Sequence, residues 1–155
     1  MLLRDLISGL SLRAPQGSDL GVRICDLTED SRTVLPGSLF VARSGRVADG
    51  RKFVGDACAA GAAAIVTDDP DLACDRVPVL HSPDILGVSG TIAERFYGCP
   101  TSSLSLVGVT GTNGKTTISF LVWQMLNARA RRCGLIGTVL VDDGREVGPA
   151  SMTTP

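Results

Sequence analysis

The residues best equipped for chemistry are Gly111-Thr112-Asn113-Gly114-Lys115-Thr116-Thr117. They follow a run of β-formers, Leu104–Val109, and open a helical pattern over Thr116–Arg131 in which Ile118, Leu121, Val122, Met125 and Leu126 share one face. Strand, glycine loop and helix are the parts that phosphate binding requires. Gly111 and Gly114 permit backbone angles that a Cβ forbids, so successive N–H groups can converge on phosphate oxygens. The helix N-terminus adds partial positive charge. Lys115 can reach β- and γ-phosphates as a mobile point charge, and the Thr116 hydroxyl is placed to ligate Mg²⁺. Lysine is scarce here: of fifteen basic residues only Lys52 and Lys115 are lysines.

The strict phosphate-loop pattern G-x-x-x-x-G-K-[ST] is not fully met. Val109 stands where the first glycine belongs, and Gly108 and Gly111 flank it. A glycine turn with no ligand is the plainer reading, but it leaves the Lys-Thr-Thr run unexplained. A dinucleotide fold needs G-x-G-x-x-G and an acidic residue about 20 positions on, and residues 108–114 offer neither.

Elements on both sides must position this loop. Leu2, Leu3, Leu6, Ile7 and Leu10 recur at helical spacing, which predicts a first helix rather than a signal peptide, because Asp5 lies inside the run and no small-residue cleavage site closes it. Strands are expected at Val22–Asp26, Ser38–Ala42, Ala63–Thr67 and Val77–Leu80, and helices at Phe53–Ala60 and Pro83–Tyr97. That alternation predicts an α/β domain with a partly parallel sheet. Gly98–Ser103 is the best candidate linker. Beyond the loop helix, Gly134–Val141 reads as a second strand and Asp142-Asp143-Gly144 as a turn. The expected organisation is a domain over 1–103 and, over 104–155, the incomplete start of a phosphate-loop ATPase domain with a parallel sheet.

Composition removes several classes of function. The 155 residues carry a net charge of −1, with 44% hydrophobic and 20% charged residues, so neither nucleic acid nor an acidic membrane surface is an expected partner. No apolar run approaches the roughly 20 residues that span a bilayer, so no membrane insertion is expected. Five widely spaced cysteines form no CxxC pair and suggest no disulfide framework, which fits a reducing cytoplasm. The single histidine, His81, has no cluster of partners with which to build a zinc site. The length suits one solid core and is short for two complete domains.

TGTNGKTT at 110–117 resembles the variant phosphate loop of the Mur ligase superfamily, the ATP-dependent amide ligases of peptidoglycan synthesis. Thr28–Phe53 (TEDSRTVLPGSLFVARSGRVADGRKF) resembles the UDP-binding domain of the same family. Its pattern is D-S-R, then P-G-[DS]-L-F-[VF]-A, then a loop ending in D-G. Leu135–Thr138 followed by Ser151–Pro155 is most similar to the branch that adds the third amino acid. The resemblance covers most of residues 20–155.

The resemblance implies a set of roles. Ser31 and Glu29 would contact the uridine end of the substrate. Arg46, Val47 and Ala48 correspond to the uracil-side loop, where several members carry His-Gln-Ala, so this chain departs at Arg46 and Val47. Thr153 and Thr154 would meet the diphosphate or muramoyl portion. Residues 111–117 would bind ATP, with Lys115 stabilising the transferring phosphoryl group and Thr116 holding Mg²⁺. Each of these segments also has a plainer reading: Asp30-Ser31-Arg32 as a capped, ion-paired turn, residues 46–48 as a solvated loop, and the Thr-Thr-Pro segment as unremarkable.

The implied reaction joins meso-diaminopimelate or L-lysine to UDP-N-acetylmuramoyl-L-alanyl-D-glutamate through an acyl phosphate, in the cytoplasm, with a monomer as the simplest state. A Glu, a His and a carbamylated Lys that the family uses for its cations would lie beyond residue 155, so this chain alone is expected to be inactive. A non-catalytic module that binds the UDP-substrate and another Mur-type ligase are the competing readings. A different phosphate-loop protein, such as a kinase, would leave residues 28–53 without a role.

Overall fold

The computed structural model describes residues 1–45 and 49–150. The chain divides into two compact units, Met1–Leu104 and Ser105–Pro155.

The first unit is built on a four-stranded parallel sheet in the order β1-β2-β3-β4, with β1 at Asp26–Thr28, β2 at Ser38–Ala42, β3 at Ala64–Thr67 and β4 at Val79–His81. Every residue of β2 and β3 is buried, the continuous apolar pattern of strands covered on both faces. Leu39, Val41, Ala64 and Val66 point to one face. There they pack with Leu3 and Leu6 of α1 (Leu3–Ile7) and with Ile85, Val88 and Ile92 of α3 (Ile85–Phe96). Phe40, Ala42 and Ile65 point to the other, against Val54 and Ala57 of α2 (Val54–Ala59). The α/β class with a parallel sheet is as expected.

The first strand begins later than expected. Residues 22–24 are claimed by the chain start: Leu3 N–H donates to the Val22 carbonyl at 2.9 Å, and Ile24 N–H to the Met1 carbonyl at 2.8 Å. Pairing with β2 therefore starts at Asp26. The candidate linker is also ordered. Pro100–Ser103 forms a 3₁₀ turn, and Glu94 of α3 accepts from both the N–H and the hydroxyl of Thr101, at 3.0 and 2.5 Å.

The second unit departs further from expectation. Leu104–Val109 forms no strand, and Leu106 and Val107 are 71% and 76% exposed. An apolar run becomes a parallel strand only where neighbours accept its backbone groups, and none of the described strands does so. Gly134–Val141 is broken at Gly137–Val139 into β5 (Leu135–Ile136) and β6 (Leu140–Asp142), which pair antiparallel. A strand that the sequence pattern did not suggest, β7 (Val147–Pro149), completes an antiparallel sheet in the order β5-β6-β7. The turn shifts to residues 143–146, where the Asp143 carboxylate accepts from the N–H groups of Arg145 and Glu146 at 2.8 Å each. The sheet in this unit is thus antiparallel, not the parallel one expected. Helix α4 (Lys115–Ala128) buries none of its residues, and Leu135 is the one buried hydrophobic of this unit among the described residues.

Candidate functional site

Residues 111–114 lie between the extended segment and α4, and Lys115, Thr116 and Thr117 form the first turn of that helix. Gly111 has φ +149° and Gly114 has φ +76°, so both use the backbone freedom that reserves such positions for glycine. Gly114 is the N-cap of α4, and the first helical bond runs from Ile118 N–H to the Gly114 carbonyl at 2.9 Å. The N–H groups of Lys115, Thr116 and Thr117 therefore lack acceptors within the helix. Lys115 folds back over the loop, donating from Nζ to the carbonyls of Gly111 at 2.6 Å and Thr112 at 3.3 Å. The ammonium and the free amides lie at the same end of the helix, and together they suit an anion of phosphate size.

Thr116 is exposed in the first turn, and its hydroxyl has no hydrogen-bond partner among the described residues. It can serve as one oxygen ligand to Mg²⁺, an ion that keeps several waters and takes most other ligands from phosphates. The described residues contain no cluster of three or more His, Cys, Asp or Glu side chains that could hold a metal unaided.

In the first unit the polar residues gather at the carboxyl ends of the strands, the place where open parallel sheets bind ligands. Beyond β1, Asp30 caps a 3₁₀ turn at Ser31–Thr33 and grips Arg32 through two oxygens, at 2.9 and 2.6 Å. The Arg32 guanidinium, helped by its backbone N–H, holds the Asp30 carboxyl down at about 2. The capped, ion-paired turn is therefore real, and it leaves Ser31 half-buried with no side-chain hydrogen bond among the described residues.

Glu29 is exposed, and its carboxylate accepts from Arg43, just beyond β2, at 2.9 and 2.8 Å. That carboxylate is engaged within the protein, so a ligand contact at this position falls to the backbone. Ser44 donates to the Asp68 carboxylate at 2.9 Å. Asp49 binds Arg51 at 2.8 and 2.9 Å, and the Arg51 guanidinium holds the Asp49 carboxyl below its usual range. Exposed pairs of this kind contribute little to stability. Their effect is to hold loops in register, not to hold the fold together.

The structure therefore brings Glu29 and Ser31 to the same sheet edge and keeps residues 111–117 in the other unit. Arg46, Val47, Ala48, Thr153 and Thr154 lie outside the described residues. Sequence reasoning passed over Arg43, Ser44 and Asp68. The signal for them was positional, since all three lie within two residues of the end of an apolar run that forms a parallel strand.

A profile described as "Mur ligase family, catalytic domain" matches residues 23–97. A UDP-N-acetylmuramoyl-L-alanyl-D-glutamate–2,6-diaminopimelate ligase of Chlorobaculum tepidum is 44% identical over 99% of this chain and 31% of its own length. Residues 23–97 of this chain are a Mur ligase family domain. The chain spans about a third of the length of the curated relatives it matches. Among solved structures, a UDP-N-acetylmuramoyl-L-alanyl-D-glutamate–2,6-diaminopimelate ligase superposes with TM-score 0.67 over 100% of this chain and 30% of its own, at 23% identity, which speaks to fold alone. A MurF ligase of Thermotoga maritima, solved in complex with ADP, superposes with TM-score 0.51 at 27% identity, over 76% of this chain and 25% of its own. The Mur ligase profile match lies within the parallel-sheet unit and does not reach residues 111–117.

Proposed function

We propose that this chain is part of an ATP-dependent, ADP-forming amide ligase of peptidoglycan precursor synthesis. The enzyme adds the third amino acid to UDP-N-acetylmuramoyl-L-alanyl-D-glutamate, and it works in the cytoplasm. The observation that carries the reading is the 44% identity, over nearly the whole chain, to a ligase named for that substrate and for 2,6-diaminopimelate. That name, shared by other relatives, favours diaminopimelate over L-lysine.

Under this reading residues 1–103 bind the UDP end of the substrate, and residues 104–155 begin the ATPase domain. Ser31, the backbone at Glu29, and residues 46–48 address the uridine, while Thr153 and Thr154 address the diphosphate or muramoyl portion. The amides at the start of α4 and the Lys115 ammonium bind the ATP phosphates and offset charge on the transferring phosphoryl group. Thr116 would help to hold Mg²⁺, which would supply neutralisation of the phosphate charge. The substrate's terminal carboxylate takes the γ-phosphoryl group and ADP leaves. The amine of the incoming amino acid then displaces phosphate from the acyl phosphate.

The geometry supports a division of labour in which the sheet edge orients the nucleotide end and the glycine loop handles phosphate. Titration calorimetry of the chain with UDP-N-acetylmuramoyl-L-alanyl-D-glutamate tests the first half. Binding is expected, and absence of heat at millimolar ligand would count decisively against it.

A further inference from the structure

Cys58 and Cys74 lie 16 residues apart in sequence, yet their sulfurs are 3.0 Å apart. Cys58 is on α2. Cys74 is on the long loop, residues 68–78, that joins β3 to β4. Both side chains are half-buried against the cluster formed by Val34, Phe40, Ala57 and Ile65. Five free cysteines occur in the chain, and Cys25 and Cys99 are exposed. Among the described residues, Cys58 and Cys74 are the pair in side-chain contact.

We propose that Cys58 and Cys74 are a redox-sensitive modification site, closing to an intramolecular disulfide by exchange with a low-molecular-weight disulfide. The Cys74 thiolate attacks one sulfur of the small disulfide RSSR and expels RS⁻, leaving Cys74 in a mixed disulfide. The Cys58 thiolate then attacks the Cys74 sulfur and expels the second RS⁻. The two protein thiols lose two electrons and two protons, and RSSR leaves as two RSH.

The surroundings suit that order. Burial opposes ionisation of Cys74, but hydrogen bonds from the Cys58 thiol and from the N–H groups of Arg76 and Val77, with the charge of Arg76, bring its thiol below the ordinary range. Burial, then the hydrogen bond and charge of Cys74, push Cys58 up to about 12. Cys74 is thus the first nucleophile. Once its charge is consumed in the mixed disulfide, one of the influences that hold Cys58 protonated is gone. Closure fastens to α2 the loop that begins with Asp68, the carboxylate that holds Ser44 at the sheet edge.

Trypsin leaves both cysteines in one peptide, residues 53–76, because no Lys or Arg lies between Phe53 and Arg76. The chain is incubated with oxidised glutathione, alkylated, digested without reduction and weighed. The expected result is peptide 53–76 about 2 Da lighter than its reduced form and carrying no alkyl group. Cys58→Ser is expected to trap glutathione on Cys74. Cys74→Ser is expected to leave Cys58 alkylated and free of glutathione. The thermal midpoint of the wild-type chain should rise on oxidation and return with reductant, while that of Cys58→Ser should not rise. The proposal is overturned if both thiols stay alkylatable while Cys25 or Cys99 takes up glutathione. It is equally overturned if Cys74 carries a stable adduct in the wild-type chain.

Discussion

Trp123 donates its indole N–H to the Asp142 carboxylate at 2.8 Å, tying the helix that follows the glycine loop to the middle strand of the antiparallel sheet. Asp142 is 9% exposed, and its other oxygen accepts from Gly144 N–H at 2.8 Å. One turn further along α4, Asn127 bonds to both the carbonyl and the N–H of Cys133, at 2.9 and 3.2 Å, just ahead of β5. Polar bonds fasten this unit where apolar burial is sparse.

Removing the indole donor should therefore be felt. Trp123→Phe keeps an aromatic ring but leaves one Asp142 oxygen unpaired, a loss of about 1–3 kcal/mol for a buried charged acceptor. Amide exchange across β5 and β6 should accelerate roughly 10- to 100-fold, with protection in β2 and β3 unchanged. Equal protection in mutant and wild type would show that the bond contributes nothing.

The Asp30–Arg32 turn makes a pH prediction. The folded carboxyl is held at about 2, below its ordinary 3.8. Its contribution to stability is thus fully present above about pH 4 and is lost as pH falls toward 2. A carboxyl titration followed by NMR should place the Asp30 midpoint near 2, and Arg32→Ala should return it toward 3.8. A midpoint near 3.8 in the wild-type chain would mean that the ion pair does not form in solution.

The parallel-sheet unit was legible because its signals are local. Ser38–Ala42 and Ala64–Thr67 are mostly apolar on both faces, and the breakers Pro36-Gly37 and Gly61 bound them, so the strands follow from the pattern while their register does not. The glycine loop was legible because Gly111 and Gly114 need positive φ. Leu104–Val109 was misread because β-propensity says nothing about partners, and a strand exists only where another accepts its backbone groups. Glu29 illustrates the same limit at the site. Its partner, Arg43, is 14 residues away, and only folding β1 beside β2 brings them together.

That pairing separates side-chain from backbone recognition at the sheet edge. If Glu29 meets the UDP-substrate only through its backbone, Glu29→Gln should change affinity no more than about 5-fold, the size of an exposed ion pair. Ser31→Ala removes a hydroxyl that is free for ligand and should cost about 3- to 10-fold. Calorimetry with the UDP-muramoyl dipeptide measures both. A hundredfold loss at Glu29 with none at Ser31 would reverse the assignment.

Lys115 has two tasks that one substitution can separate. Its ammonium now holds the carbonyls of Gly111 and Thr112, and a phosphate would compete with them for it. Lys115→Ala removes a charge-assisted contact worth about 1.5–3 kcal/mol, so ADP affinity in the full-length ligase should fall at least roughly tenfold and ATP-dependent turnover should vanish. The far-UV circular dichroism should be unchanged, because the loop carbonyls are exposed and can turn to water. Affinity for the UDP-substrate should also be unchanged, since the contacts proposed for it, at Glu29, Ser31, residues 46–48, Thr153 and Thr154, do not include Lys115. Turnover retained in Lys115→Ala would exclude the phosphate role. Lost UDP-substrate affinity with intact ADP binding would assign Lys115 to the wrong ligand.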